Sequence, residues 1–233
     1  MTGTKWLKCE DPAQMLTFLR KRATERKLRL FALCCCRSIW RSMKKRRSRA
    51  AVETLERYVE ELADADELAT RQAAAYAAFQ DEPDNCIEEI IAGIASDAAL
   101  SDYWAAARSA IQAADVLAHN AIYYDDDIPS SDENQTAYHS RREVELATQC
   151  RLLRDIFGNP FRPVALGPAW LTSDVLALAR GIYDEKAFDR MPILADALQD
   201  AGCTNEDVLA HCRDGLLPHV RGCWVLDLVL GKS

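Results

Sequence analysis

Residues 24–49 read TERKLRLFALCCCRSIWRSMKKRRSR, and this stretch decides the fold class. At about 100° per residue, Leu28, Phe31, Ala32, Cys35, Ile39 and Met43 fall within one arc of about 120°. Arg22, Arg26, Arg29, Arg37, Arg41 and Lys44 cluster opposite. The spacing predicts an amphipathic helix, capped by Thr24 and reaching Met43, whose polar face is almost purely cationic. Leu33 and Trp40 interrupt that face. A Trp among arginines suits stacking on a base or docking an acidic partner. The alternative is that both residues touch a second layer of the same fold. Lys44, Lys45, Arg46 and Arg47, followed by Ser48 and Arg49, read as a phosphate-binding turn between helices, a source of salt-sensitive affinity without base specificity.

Charge along the chain is lopsided. Through Arg49 there are 15 Lys or Arg against 3 acids, a net of +12, whereas the other 184 residues carry 14 against 33, a net of −19. The cationic segment therefore meets either an acidic partner, nucleic acid through Arg22 to Arg49, or the acidic remainder of its own chain. A pI of 5.2 weighs against nucleic acid unless the acidic part turns away.

Working outward, helix signals dominate. Asp11 and Pro12 read as cap and first residue of a helix carrying Met15, Leu16 and Leu19. Ser48 opens a helix with Val52, Leu55, Val59 and Leu62 on one face, and Asp64 with Glu67 forms a capping-box pattern ahead of an alanine-rich helix to Phe79. Ser101 is expected to cap one helix through Ala118. Further helices are expected at about 137–157, 172–183, 192–201, 205–213 and 218–230, with Gly158 and Gly202 as left-handed stops. The acidic stretch 125–136 reads as a linker loop; it lacks the alternating ligands, central Gly and final Glu of a calcium-binding EF-hand. The expected fold is all-α, an irregular multi-helix bundle without substantial sheet. Its lobes are residues 1–124, containing a basic helix at 20–49, and residues 137–233.

The composition, 49% apolar and 28% charged over 233 residues, fits a globular chain with a full core. No apolar run approaches the roughly 20 residues of a spanning helix, and the first ten residues do not read as a secretory signal. Nine cysteines, three of them consecutive at Cys34, Cys35 and Cys36, argue for buried thiols in a reducing compartment. The expected location is cytoplasmic. Phosphate-loop, dinucleotide, zincin and nucleophile-elbow motifs are absent, so the chain reads as non-catalytic.

One cluster carries metal chemistry: Cys203, His211, Cys212, His219 and Cys223. His219 and Cys223 are four apart and would share a helix face, with Asp227 one turn on. With Cys203 and either His211 or Cys212 they would supply four N/S ligands for tetrahedral zinc, although the spacing is not a familiar paired-cysteine pattern. Zinc is the one cofactor the sequence suggests. The competing readings are thiols and histidines in a core, and a Cys/His nucleophile pair oriented by Asp227. Acids at Asp184, Glu185, Asp189, Asp196 and Asp200 suggest salt bridging as readily as acid–base work.

The blocks KLRLFALCCCRSIW, LLRDIFGNPFRPVALGPAWL, IYDEKAFDRMPILADALQDAGCTNEDVLAHCRDG and HVRGCWVLDLVLGK resemble a multi-copy family of uncharacterised proteins from planctomycete bacteria. The resemblance covers about half the chain. It implies a cytoplasmic bacterial protein and transfers no activity, cofactor or catalytic residue. In similar sequences the turn before HVRGCW is often GPGP-like, whereas here it is DGLLP. The function expected from all this is a helical adaptor or scaffold that docks an acidic protein surface through its cationic helix. It sets no oligomeric state.

Overall fold

The computed structural model describes residues 1–80, 86–100, 102–123, 131–215 and 218–232. Among these the chain is all-α, with no strand. In order the helices are α1 (Gly3–Lys8), α2 (Pro12–Leu19), α3 (Glu25–Ser38), α4 (Arg46–Val59), α5 (Ala65–Gln80), α6 (Cys86–Ala98), α7 (Tyr103–Ala110), α8 (Ala113–Tyr123), α9 (Ser131–Phe157), α10 (Ser173–Glu185), α11 (Met191–Asp200), α12 (Glu206–Arg213) and α13 (Trp224–Leu230). Short 3-10 turns occupy Pro168–Trp170 and Phe188–Arg190. No helix among the described residues is long and apolar enough to cross a membrane.

The chain forms two compact units, Cys9–Cys150 and Met1–Lys8 with Arg151–Ser233. The division thus falls inside α9 and not at the expected linker 125–136. Residues 131–136 are helical and form the opening turns of α9. Residues 124–130 lie outside the described residues.

In the Cys9–Cys150 unit, α4 packs on α5, α5 on α6, and α3 on α7. The apolar arc of α3 is where periodicity put it: Leu28, Phe31, Ala32 and Cys35 are buried, with Ile39 and Met43 just beyond the helix. Alanines at 75, 78, 95, 98, 106, 107, 110 and 114 are also buried, small side chains that let helix axes approach closely. The Asp11 and Thr24 caps accept the amides expected of them, and Glu67 N donates to Asp64 Oδ1 at 2.8 Å.

Two expected helices are shorter than their patterns. Ser38 Oγ donates to Cys35 O at 2.7 Å, competing with the helix ladder, and α3 stops there, with Trp40 N closing on Arg37 O at 3.2 Å. The basic segment 20–49 is therefore not one helix. Likewise the helix expected through Ala118 breaks at Ile111–Gln112, where i→i+3 bonds tighten the end of α7. Gln149 Nε2 donates to Ile111 O at 3.2 Å, satisfying a carbonyl at the break. Asp102, not Ser101, caps α7; Ser101 lies outside the described residues.

In the other unit, a core of Val175, Ala179, Ile182, Met191, Leu194, Leu198, Val208, Leu209, Val225, Leu226 and Val229 joins α10 to α13. Gly158, at φ +62°, ends α9 with its N–H on Arg154 O at 2.9 Å. Trp6 of α1, fully buried, donates its indole N–H to Gly158 O at 2.9 Å.

Candidate metal centre

Four side chains from three segments meet in the unit containing α10 to α13. Asp155 lies near the end of α9, His211 on α12, His219 in the segment between α12 and α13, and Cys223 at the cap of α13. Each segment is positioned locally. Asn205 caps α12 by accepting from Val208 N at 3.2 Å. Gly222, at φ +91°, allows the reversal that brings Cys223 N onto Val220 O at 2.9 Å.

The ligand atoms of the four residues all lie within 4.8 Å of one another. His219 Nδ1 is 2.7 Å from Asp155 Oδ1 and 3.9 Å from Cys223 Sγ. His211 Nε2 is 3.2 Å from Cys223 Sγ and 3.2 Å from the same Asp155 Oδ1. A zinc ion with bonds of about 2.0 Å to N and O and about 2.3 Å to S would place tetrahedral ligand atoms about 3.3–3.7 Å apart. The observed separations bracket that range. Asp155 and Cys223 are fully buried, and His211 and His219 nearly so.

The other carboxylate oxygen, Asp155 Oδ2, accepts Val220 N–H at 3.0 Å, which fixes the plane of the carboxylate. Burial alone would raise the Asp155 carboxyl, but the hydrogen bonds to His211 and His219 outweigh it and hold it below its ordinary value. Burial, then the Asp155 charge, push the Cys223 thiol well up, opposed by the amides of Leu226 and Val225 at the start of α13. Without a cation the thiol is protonated. His219 Nε2 is buried without a partner. As a bare lone pair it is tolerable; with Nδ1 on a metal it would carry a proton, costing about 1–3 kcal/mol. Structural zinc binding, at about 10–16 kcal/mol, exceeds that cost several-fold.

No protein-family model, curated protein or solved structure matches the chain. The geometry of the site stands alone.

Of the five residues expected as ligands, His211, His219 and Cys223 come together; Cys203 and Cys212 do not join them. Both are buried in the apolar core, and the Cys212 thiol is pushed up to about 12 by burial first and the Asp155 charge second. His219 and Cys223 do not share a helix face, because α13 begins only at Trp224. Asp227 is buried on α13 outside the four. Asp155 escaped the sequence reading, although the signal was present. It stands three residues after Leu152 and one before Ile156, an acid on the apolar side of its helix, where a charge persists only with partners.

The cationic residues expected to dock a partner are largely committed inside their own unit. Arg29 is buried, paired with Glu25 at 2.7 Å and lying over the Tyr58 ring. Leu33 is buried in the core. Trp40 is covered by the guanidinium groups of Arg37, 4.2 Å from its ring centroid, and Arg49, at 5.1 Å. Arg37 also pairs with Glu56. Lys44 Nζ donates to Arg41 O at 2.9 Å, Lys45 Nζ to Ala78 O at 2.8 Å, and Arg22 to Phe18 O at 3.1 Å. Arg26 is half-buried, and Arg41, Arg46 and Arg47 are exposed. Leu33 and Trp40 thus touch the second layer of their own fold.

Proposed function

We propose that this protein is a non-catalytic zinc-binding helical protein, whose ion is held by Asp155, His211, His219 and Cys223 and ties the end of α9 to α12 and α13. The convergence of four ligand atoms from three segments, two of them on fully buried residues, carries the reading. Four protein ligands complete a tetrahedral shell without an open position, the arrangement of structural zinc. A Cys–His–Asp nucleophile relay is disfavoured by the same distances. A relay needs the acid on one imidazole nitrogen and the thiol on the other, whereas here both approach His211 Nε2. A fully buried thiol with a raised pKa is also a poor nucleophile.

The eight described cysteines are all thiols, which supports a reducing, cytoplasmic setting. Docking of an acidic partner retains support only from the exposed Arg22, Arg41, Lys44, Arg46 and Arg47.

Elemental analysis of the full chain, purified without chelator, tests the zinc reading. One zinc per chain is expected, retained by Cys212→Ser and lost by Cys223→Ser and His211→Ala, with chelator lowering the melting temperature of the native protein. Native protein free of stoichiometric zinc, with a melting temperature indifferent to added zinc and chelator, overturns it.

A further inference from the structure

In the Cys9–Cys150 unit, α4 and α5 border a cleft of about 400 Å³ lined by Arg46, Arg49, Arg57 and Arg71 together with Glu53 and Glu67. These four arginines are not equivalent. Arg57 pairs with Glu67 at 2.7 Å and donates to Leu62 O at 2.9 Å. Arg49 donates to Met43 O at 2.6 Å and Trp40 O at 3.3 Å, so its guanidinium is fixed. Arg46 and Arg71 are exposed and have no ion-pair or hydrogen-bond partner among the described residues. They stand on different helices facing one cleft.

Four guanidinium groups against two carboxylates leave the lining with an excess of two positive charges. Arg46 is also the first residue of α4, whose leading amides have no side-chain cap, so the helix end adds positive potential beside it. Guanidinium forks recognise oxyanions through paired N–H donors.

We propose that this cleft binds a small phosphoryl anion between Arg46 and Arg71, with Arg49 as a preset third donor. The excess positive charge suits a small, multiply charged anion. A single-stranded nucleic acid fits less well: it would use a continuous cationic groove with aromatic platforms, whereas this lining is interrupted by Glu53 and has no aromatic side chain among its described residues. Specificity for a particular phosphorylated compound would come from the groups bordering the cleft.

Titration calorimetry of the full chain with pyrophosphate at low salt tests the site, with a single-stranded oligonucleotide in a parallel arm. Saturable pyrophosphate binding is expected, weakened at least about tenfold by Arg46→Ala with Arg71→Ala and falling with added salt. Glu53→Gln should tighten it. All three positions are exposed, and circular dichroism checks that the variants keep their helix content. Absence of saturable binding, or binding indifferent to the double substitution, overturns the proposal. So does oligonucleotide binding that pyrophosphate does not displace.

Discussion

Asp155 and His219, 64 residues apart, meet at 2.7 Å between Oδ1 and Nδ1, the carboxylate fully buried and the imidazole nearly so. That single relationship joins the end of α9 to the segment leading into α13. A charge with so little access to solvent depends on its partners, and here the partners are two imidazoles and one backbone amide.

Asp155→Asn keeps the size of the side chain and an acceptor for Val220 N–H but removes the charge. The substitution should cost about 3 kcal/mol, the scale of breaking a buried charged pair. Urea denaturation of metal-free protein measures it. A loss below about 0.5 kcal/mol would show that the carboxylate does not hold these segments together.

Gly158 and Gly202 both lie at positive φ, +62° and +88°, but differ in their surroundings. A Cβ at Gly158 would meet the Trp224 ring at 3.1 Å, whereas at Gly202 nothing lies within 4 Å. Gly202→Ala should cost only the left-handed backbone penalty of about 1 kcal/mol, and Gly158→Ala about 2–3 kcal/mol because the ring must also move. Thermal denaturation of the pair gives the ordering; equal losses would show that Trp224 yields freely.

Leu33→Ala should destabilise the protein by about 2–5 kcal/mol, as expected when a large core side chain is truncated. Arg41→Ala, at an exposed position, should stay within about 0.5 kcal/mol. Comparable small effects at both sites would return Leu33 to the surface role its helical position suggested.

Burial pushes the Cys36 thiol up to about 12, from 9.0 in the unfolded chain, and raises Cys35 in the same direction. Ionisation is easier after unfolding, so this contribution is whole below pH 9.0 and is lost as pH rises towards 12. Each thiol removes up to about 1.4 kcal/mol per pH unit in that window. Denaturation midpoints at about pH 8 and about pH 10.5 should therefore diverge, and Cys36→Ala should narrow the gap. An unchanged gap would mean that Cys36 reaches solvent in the folded protein.

Local chemistry was legible without coordinates. The Asp11 and Thr24 caps, the Gly158 and Gly202 stops, and the buried arc of α3 all follow from interactions within a few residues. The ends of α3 and α7 were not, because a serine hydroxyl and a tightened last turn competed with helical periodicity. Three of the four converging side chains were singled out by residue type. Asp155 was not, since its partners are 56 to 68 positions further along the chain.

The amino-acid sequence by itself determined that this chain is helical, where several of its helices begin or end, and which face of α3 turns inward, since these depend on neighbours three and four residues away. Only the tertiary structure decided that Trp40 is spent on Arg37 and Arg49, and that Asp155 joins His211, His219 and Cys223. Such contacts depend on how helices pack, and packing balances burial against charge over segments that no local period relates.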